Sequence, residues 1–380
     1  MPFSPLARPC RFAAARLPRL IAALLPLSCL PTLHGATPPP LVARVNDWAA
    51  MPLSGNLTST ANAVYMSRVN FMRPEPGGSG RMWVCDLNGH LQIFSPAGTP
   101  AARTTQLLDQ AKNRSAYLDF NGQSSTAEAN EKTYVPNAAG TATSAAAPNG
   151  LFPLFTKRSG YANGLVCFEF APTYATNGKF YTIHIEANSS NGATGRLPVT
   201  TRFPGFNAAG YTSTNVINAP SGTINRQAVL IEWTDTNRAN LTFEGSAREL
   251  LRIGYNGSIH PLGDITFNPT AQPGSAEWGM MYLASGDGGA GEINSTRLHP
   301  QRLDSIVGKI LRIIPDLSLH TADSTVSQNG RYRIPSDNPF TAAPYAPTAR
   351  PEIWTLGHRN PHRFTWHLSD SGGAPDLLVE

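Results

Sequence analysis

Charge is scarce in this 380-residue chain: Asp, Glu, Lys and Arg make up only 14% of it. So thin a supply excludes long surface helices, whose outer faces need polar and charged side chains. Cysteine is scarcer, with four in all, and Cys10 and Cys29 fall within the first 36 residues. The other two, Cys85 and Cys167, are too few for a disulfide-dense scaffold. Both sit in strand-like runs, and the sequence leaves open whether they pair in an oxidising compartment or stand as separate buried thiols. Net charge of one sign is missing as well. Arg8, Arg11, Arg16 and Arg19 supply four of the formal +5, and the rest of the chain sets 26 basic against 25 acidic residues. A balanced surface offers no electrostatic footprint for nucleic acid or anionic membrane, so neither is an expected partner.

Long hydrophobic runs are also absent. The most apolar stretch, Leu17–Leu30, contains Arg19 and Pro26 and is followed by Pro31, which makes it too short and too interrupted to span a bilayer. Arginines precede it and Gly35-Ala36 follow it. The layout is that of a secretory signal over residues 1–36, cleaved near Ala36. Cys29 offers lipid anchoring as an alternative, although Pro26-Leu-Ser28 is a poor lipidation box. The expectation is export to the periplasm or exterior of a bacterium, with no membrane span after cleavage and residues 37–380 as the mature domain.

What is abundant is glycine and proline, 33 of each. They punctuate short β-rich runs: Arg81–Val84, Leu91–Phe94, Val166–Phe170, Phe180–Ile185, Ala228–Trp233, Ile265–Phe267, Gly279–Ala284, Ile310–Ile314 and Arg363–Trp366. Asp86-Leu-Asn-Gly89, Thr176-Asn-Gly178 and Tyr255-Asn-Gly257 supply turns between strands. The fold class is therefore all-β and antiparallel: a sandwich, a barrel or a propeller. Loose recurrence of a strand, an Asn-Gly turn and a second strand favours the propeller. Residues 126–149 and 188–225, rich in Ala, Thr, Ser, Asn and Gly, read as loop insertions.

Two stretches stand apart from this scaffold. One is His260-Pro-Leu-Gly-Asp-Ile-Thr-Phe-Asn-Pro269, closing on Ser285-Gly-Asp-Gly-Gly289. The other is Pro351–Trp366, which contains Leu356-Gly-His-Arg-Asn-Pro361. Each places a titratable or cationic side chain on a glycine-containing turn beside a hydrophobic strand. Together they offer a base and a fixed positive charge, the minimum needed to oxidise an alcohol. With Gly164–Tyr181, Leu303–Ile313 and Tyr332–Phe340, these motifs resemble the soluble pyrroloquinoline-quinone (PQQ) sugar dehydrogenases, the glucose/sorbosone dehydrogenase family. The resemblance is specific over residues 160–366 and weak over 41–159. It implies a six-bladed β-propeller that oxidises an aldose or related sugar at C1, with PQQ and Ca²⁺ as cofactors and a quinone or cytochrome as external electron acceptor. By the same resemblance His260 is the general base. Arg359 stabilises charge on the quinone oxygens, Asn360 hydrogen-bonds the cofactor, and Asp287 contacts substrate hydroxyls. Read from the residues alone, Asp287 serves as well to cap its own glycine-rich turn. No metal ligands are assigned.

Two tempting sites are rejected. His358, His362 and His367 have metal-like spacing, but Asn360-Pro361 breaks any helix that would align them. Gly286-Asp-Gly-Gly289 lacks the Gly-Lys-Ser/Thr of a phosphate loop. The chain also departs from the family. Ala162 stands where glucose-oxidising members carry a substrate-contacting Gln. Glu380 comes before the segments that in the family hold Ca²⁺ and the cofactor carboxylates. About four blades are therefore expected here, with the last ones missing and the open edge a liability for folding. The rival reading is a non-catalytic extracellular propeller acting as a binding module. Lactone hydrolysis is a weaker third option, for which no central set of Ca²⁺-binding side chains can be assembled.

Overall fold

The computed structural model describes residues 44–51, 68–95, 97–103, 117–121, 150–156, 163–188, 193–217, 219–368 and 374–379, with strand backbone at 55–57, 64–66, 135–136 and 142–143. The signal expected at residues 1–36, Ala162 and most of 126–149 lie outside the described residues. Asp47–Glu380 form one compact unit.

Three four-stranded antiparallel meanders follow one another along the chain. The first comprises Val69–Pro74, Met82–Asp86, His90–Phe94 and Leu118–Asp119. The second comprises Leu165–Phe170, Lys179–Ala187, Arg226–Asp235 and Gly245–Tyr255. Its outer strand also pairs in parallel with the short strands Phe206–Asn207 and Val216–Ile217. The third comprises Leu262–Phe267, Met281–Ser285, Lys309–Ile313 and Ile353–Leu356. A hairpin of Phe364–His367 and Asp376–Val379 comes last. The first strands of successive sheets lie side by side. Asn70 donates to the carbonyl of Val166, Arg363 Nη1 to that of Gly263 at 2.8 Å, and the Phe364 amide to Asp264 at 3.3 Å. Radial repetition of meanders around their first strands is the blade arrangement of a β-propeller. The described residues make three blades and the first hairpin of another.

Stacking blades buries both faces of each sheet, so the strands read as nearly continuous apolar runs. In Arg226–Asp235, Val229, Ile231 and Trp233 join the core shared with the first sheet, while Ala228 and Leu230 join the core shared with the third. Polar residues on such strands must be satisfied internally. Arg252, fully buried, bonds Glu249 Oε1 at 3.0 Å, Glu249 Oε2 at 2.8 Å and Gln227 Oε1 at 3.0 Å, and pairs with Glu186. His184 Nε2 lies 3.0 Å from Glu186, and its ring stacks on Phe152 at 4.3 Å.

Turns follow the sequence signals. Asn88-Gly89 joins the second and third strands of the first sheet, and Gly178 (φ 66°) ends the single helical turn Tyr174–Asn177. Stretch 188–225 differs from its reading as a surface insertion. Phe203, Phe206 and Tyr211 are buried, and Phe206 packs on Trp233 at 5.3 Å. Three aromatic rings outweigh a polar average, because each brings a large apolar area to the core.

Cys85 and Cys167 are free and buried, and burial pushes both thiols above their ordinary range. Ellman's reagent is therefore expected to titrate neither thiol in native residues 37–380, and both in denaturant without reductant. Titration of neither in denaturant would show a disulfide. Among the described residues no helix is long and apolar enough to cross a membrane.

Candidate active site

Antiparallel pairing within the third sheet brings its chemistry to one end. Leu262 pairs with Ser285, Ser285 with Lys309, and Lys309 with Leu356. The start of the first strand, the turn after the second and the loop after the fourth therefore meet, although His260 and Arg359 are 99 residues apart. Backbone bonds fix this meeting. The Gly288 amide donates to His260 O at 3.0 Å, the Gly286 amide to Pro261 O at 3.2 Å, and the Asp287 amide to Arg359 O at 2.8 Å. His260 itself has φ 50°, in the left-handed region that non-glycine residues seldom occupy. A Cβ at residue 286 would lie 2.3 Å from His260 O, so only glycine allows that carbonyl its place. Gly286→Ala is expected to cost about 1–3 kcal/mol through this overlap, read as a lowered midpoint in guanidinium chloride. An unchanged midpoint would show that the turn relaxes freely.

His260 Nδ1 lies 2.8 Å from Asp287 Oδ1, and Arg359 Nη1 lies 3.3 Å from His260 Nε2. A carboxylate on one side and a guanidinium donor on the other select one tautomer: Nδ1–H donates to Asp287, and the Nε2 lone pair faces Arg359. Asp287 is only 2% exposed and accepts the amides of Gly289 at 2.9 Å and Gly291 at 3.2 Å. It lies beneath the imidazole and caps its own turn, a position suited to orienting His260 rather than to meeting substrate. Arg359 is 65% exposed, and its Nη2 bonds Glu292 at 3.1 Å. An ion pair this exposed is worth about 0–1 kcal/mol, so an arriving anion displaces it readily. Asn360 is exposed beside Arg359. Glu292 was not singled out in the sequence; its only signal is its place on the turn Ala290–Glu292, directly after Gly289.

The rejected histidine triplet diverges. His358 Nε2 is 2.7 Å from Thr355, and His362 backs onto Gly263. Burial, then Arg363 and His260, push His362 down to about 4, so it stays neutral near the site. His367 lies exposed on the last hairpin. Among the described residues no three His, Cys, Asp or Glu side chains converge to hold a metal ion. A cleft of about 670 Å³ opens at the opposite end of the inner strands, lined among others by Arg73, Glu169, Trp278 and Trp366. None of the four candidate residues lines it.

Residues 263–372 match the family model described as Glucose / Sorbosone dehydrogenase. The match includes Asp287, Arg359 and Asn360, and begins just after His260. The chain is 28% identical over 226 residues to the HIPL2 protein of Arabidopsis thaliana and 27% identical over 226 residues to the HIPL1 protein of the same plant. Each alignment covers 57% of this chain and 29% of the relative, so the chain spans less than a third of the length of these curated relatives. Among solved structures, the apo form of the soluble aldose sugar dehydrogenase (Asd) of Escherichia coli aligns at TM-score 0.40 and 14% identity, over 82% of this chain and 56% of that one. The PQQ-bound aldose sugar dehydrogenase (Adh) of Streptomyces coelicolor aligns at TM-score 0.39 and 16% identity, over 87% and 61%.

Proposed function

We propose that this chain belongs to an exported, PQQ-dependent enzyme of the glucose/sorbosone dehydrogenase type that oxidises an aldose or related sugar at C1 and passes the electrons to an external quinone or cytochrome. The observation that carries this reading is His260, held at Nδ1 by Asp287 and with Nε2 beside the exposed guanidinium of Arg359. The residues suit a planar, anionic quinone. Arg359 offers a fixed charge and paired donors at the mouth of the site, held only by a weak surface pair, and Asn360 adds a neutral amide next to it.

When bound, PQQ supplies the electrophilic carbon that accepts a hydride. The chain's own part is proton handling and charge. His260 Nε2 takes the C1 hydroxyl proton once Arg359 swings from the imidazole to an incoming anion. Asp287 stabilises the imidazolium that results and keeps its ring oriented. Arg359 then holds the negative charge that develops on the acceptor side. Ca²⁺ enters this reading through the family resemblance alone, and no ligand is assigned to it.

The test is reconstitution. PQQ and Ca²⁺ are added to the purified chain, and the quinone absorbance is followed before and after an aldose. Binding followed by sugar-dependent bleaching supports the reading. A well-folded sample that binds no PQQ overturns it and favours a non-catalytic binding propeller.

A further inference from the structure

We propose that Lys309 is a positioning residue that locks the two halves of the His260–Arg359 site against each other. Its place in catalysis rests on the function proposed above; its effect on local structure does not. Lys309 is fully buried, and its Nζ donates to the carbonyls of Val307 at 2.8 Å, Pro300 at 2.9 Å and His299 at 3.1 Å. Three carbonyls use all three ammonium donors, and among the described residues no carboxylate bonds it. Burying a cation this way is unfavourable, and burial pushes Lys309 down to about 8. Of the ionisable groups around it, Asp304 is engaged by Arg302, while His299 and His358 are both held below the ordinary histidine range, chiefly by burial. A bare ammonium in such a place calls for a reason, and the turn it pegs supplies one.

The three carbonyls belong to the turn over residues 299–307, which lies between the two catalytic loops. Gly308, next to it, donates its amide to Gly286 O at 2.9 Å and accepts the amides of Gly357 and His358, each at 3.1 Å. Pro300 O, already held by Lys309, also accepts the Gly357 amide at 3.0 Å. From Gly286 the path continues to Pro261, and from His358 to Arg359, whose carbonyl holds Asp287. One buried ammonium thus anchors the turn that sets the Asp287 loop at a fixed distance from the Arg359 loop. A shift of about 1 Å between such loops is enough to cost roughly 10²-fold in rate.

The experiment is hydrogen exchange followed by mass spectrometry on the cofactor-free chain, comparing Lys309→Met and Lys309→Gln with the parent. Loss of a charged donor from three buried carbonyls is expected to speed exchange at least about tenfold in peptides covering 284–291 and 355–360, with Lys179–Ala187 in the second sheet unchanged. Unchanged exchange at both loops overturns the proposal. So does acceleration spread evenly over all three sheets, or failure of both variants to melt cooperatively, because a local peg does not hold the whole fold. In the reconstituted enzyme, kcat is expected to fall at least about tenfold with KM little changed. Absence of turnover in the parent would remove the enzymatic reading while leaving the exchange result to decide the role of Lys309.

Discussion

Replacing His260 with alanine is expected to lower sugar-dependent turnover of the PQQ-reconstituted protein by about 10²–10⁴-fold, the range for loss of a general base. PQQ binding should survive, because the imidazole's contacts are to Asp287 and to a guanidinium that is also tied to Glu292. Asp287→Asn gives the sharper contrast. A neutral amide in place of the carboxylate no longer dictates that Nδ1 carries the proton, so Nε2 loses its assured lone pair and kcat should fall without a matching rise in KM. Stopped-flow bleaching of the bound quinone by an aldose measures both variants. If His260→Ala bleaches at the parental rate, the base lies elsewhere and the proposed mechanism fails.

The candidate site was only partly legible in the sequence, for reasons that lie in the topology. His260 and Arg359 could be nominated because each stands on a glycine-bearing turn beside an apolar strand, and Asp287 through the family resemblance. Antiparallel pairing within one sheet then places those turns at the same end. What the chain could not show was direction. Asp287 lies under His260, and the amides of Gly289 and Gly291 draw its carboxylate inward. Glu292 escaped notice because an exposed acidic residue on a short turn has no pattern of its own. Lys309, inside the motif Leu303–Ile313, gains its individual meaning only from the carbonyls around it.

The strands were legible for the opposite reason. Val229, Ile231 and Trp233 alternate with Ala228 and Leu230, yet both sets are apolar, which is the signature of a sheet buried on both faces. That same double burial hid the polar network. His184, Glu186 and Arg252 look like solvent-facing positions of half-buried strands until a neighbouring blade covers them. Phe203, Phe206 and Tyr211 were lost in a polar average, although each singly contributes more apolar area than the small residues around it.

That network yields the largest expected effect on stability. Arg252→Met should destabilise the fold by about 3–5 kcal/mol, because it leaves the buried carboxylates of Glu186 and Glu249 without their cation. The pH dependence should change sign as well. In the parent, burial raises the Glu186 carboxyl, but the Arg252 charge and the His184 bond outweigh it and hold it below the usual carboxylate range. A depressed folded-state pKa gives stability that is present above the unfolded value of about 4.3 and is lost as pH falls through the folded value. Without Arg252, burial dominates and raises the carboxyl, so the folded state takes up a proton before the unfolded chain does. Stability of the variant should then increase as pH falls from 7 towards 5, where the parent stays level as far as this group is concerned. Guanidinium titrations of both proteins across that window measure the two slopes. Equal slopes would mean that Glu186 keeps its charge without Arg252, and that the network is not held together by this ion pair.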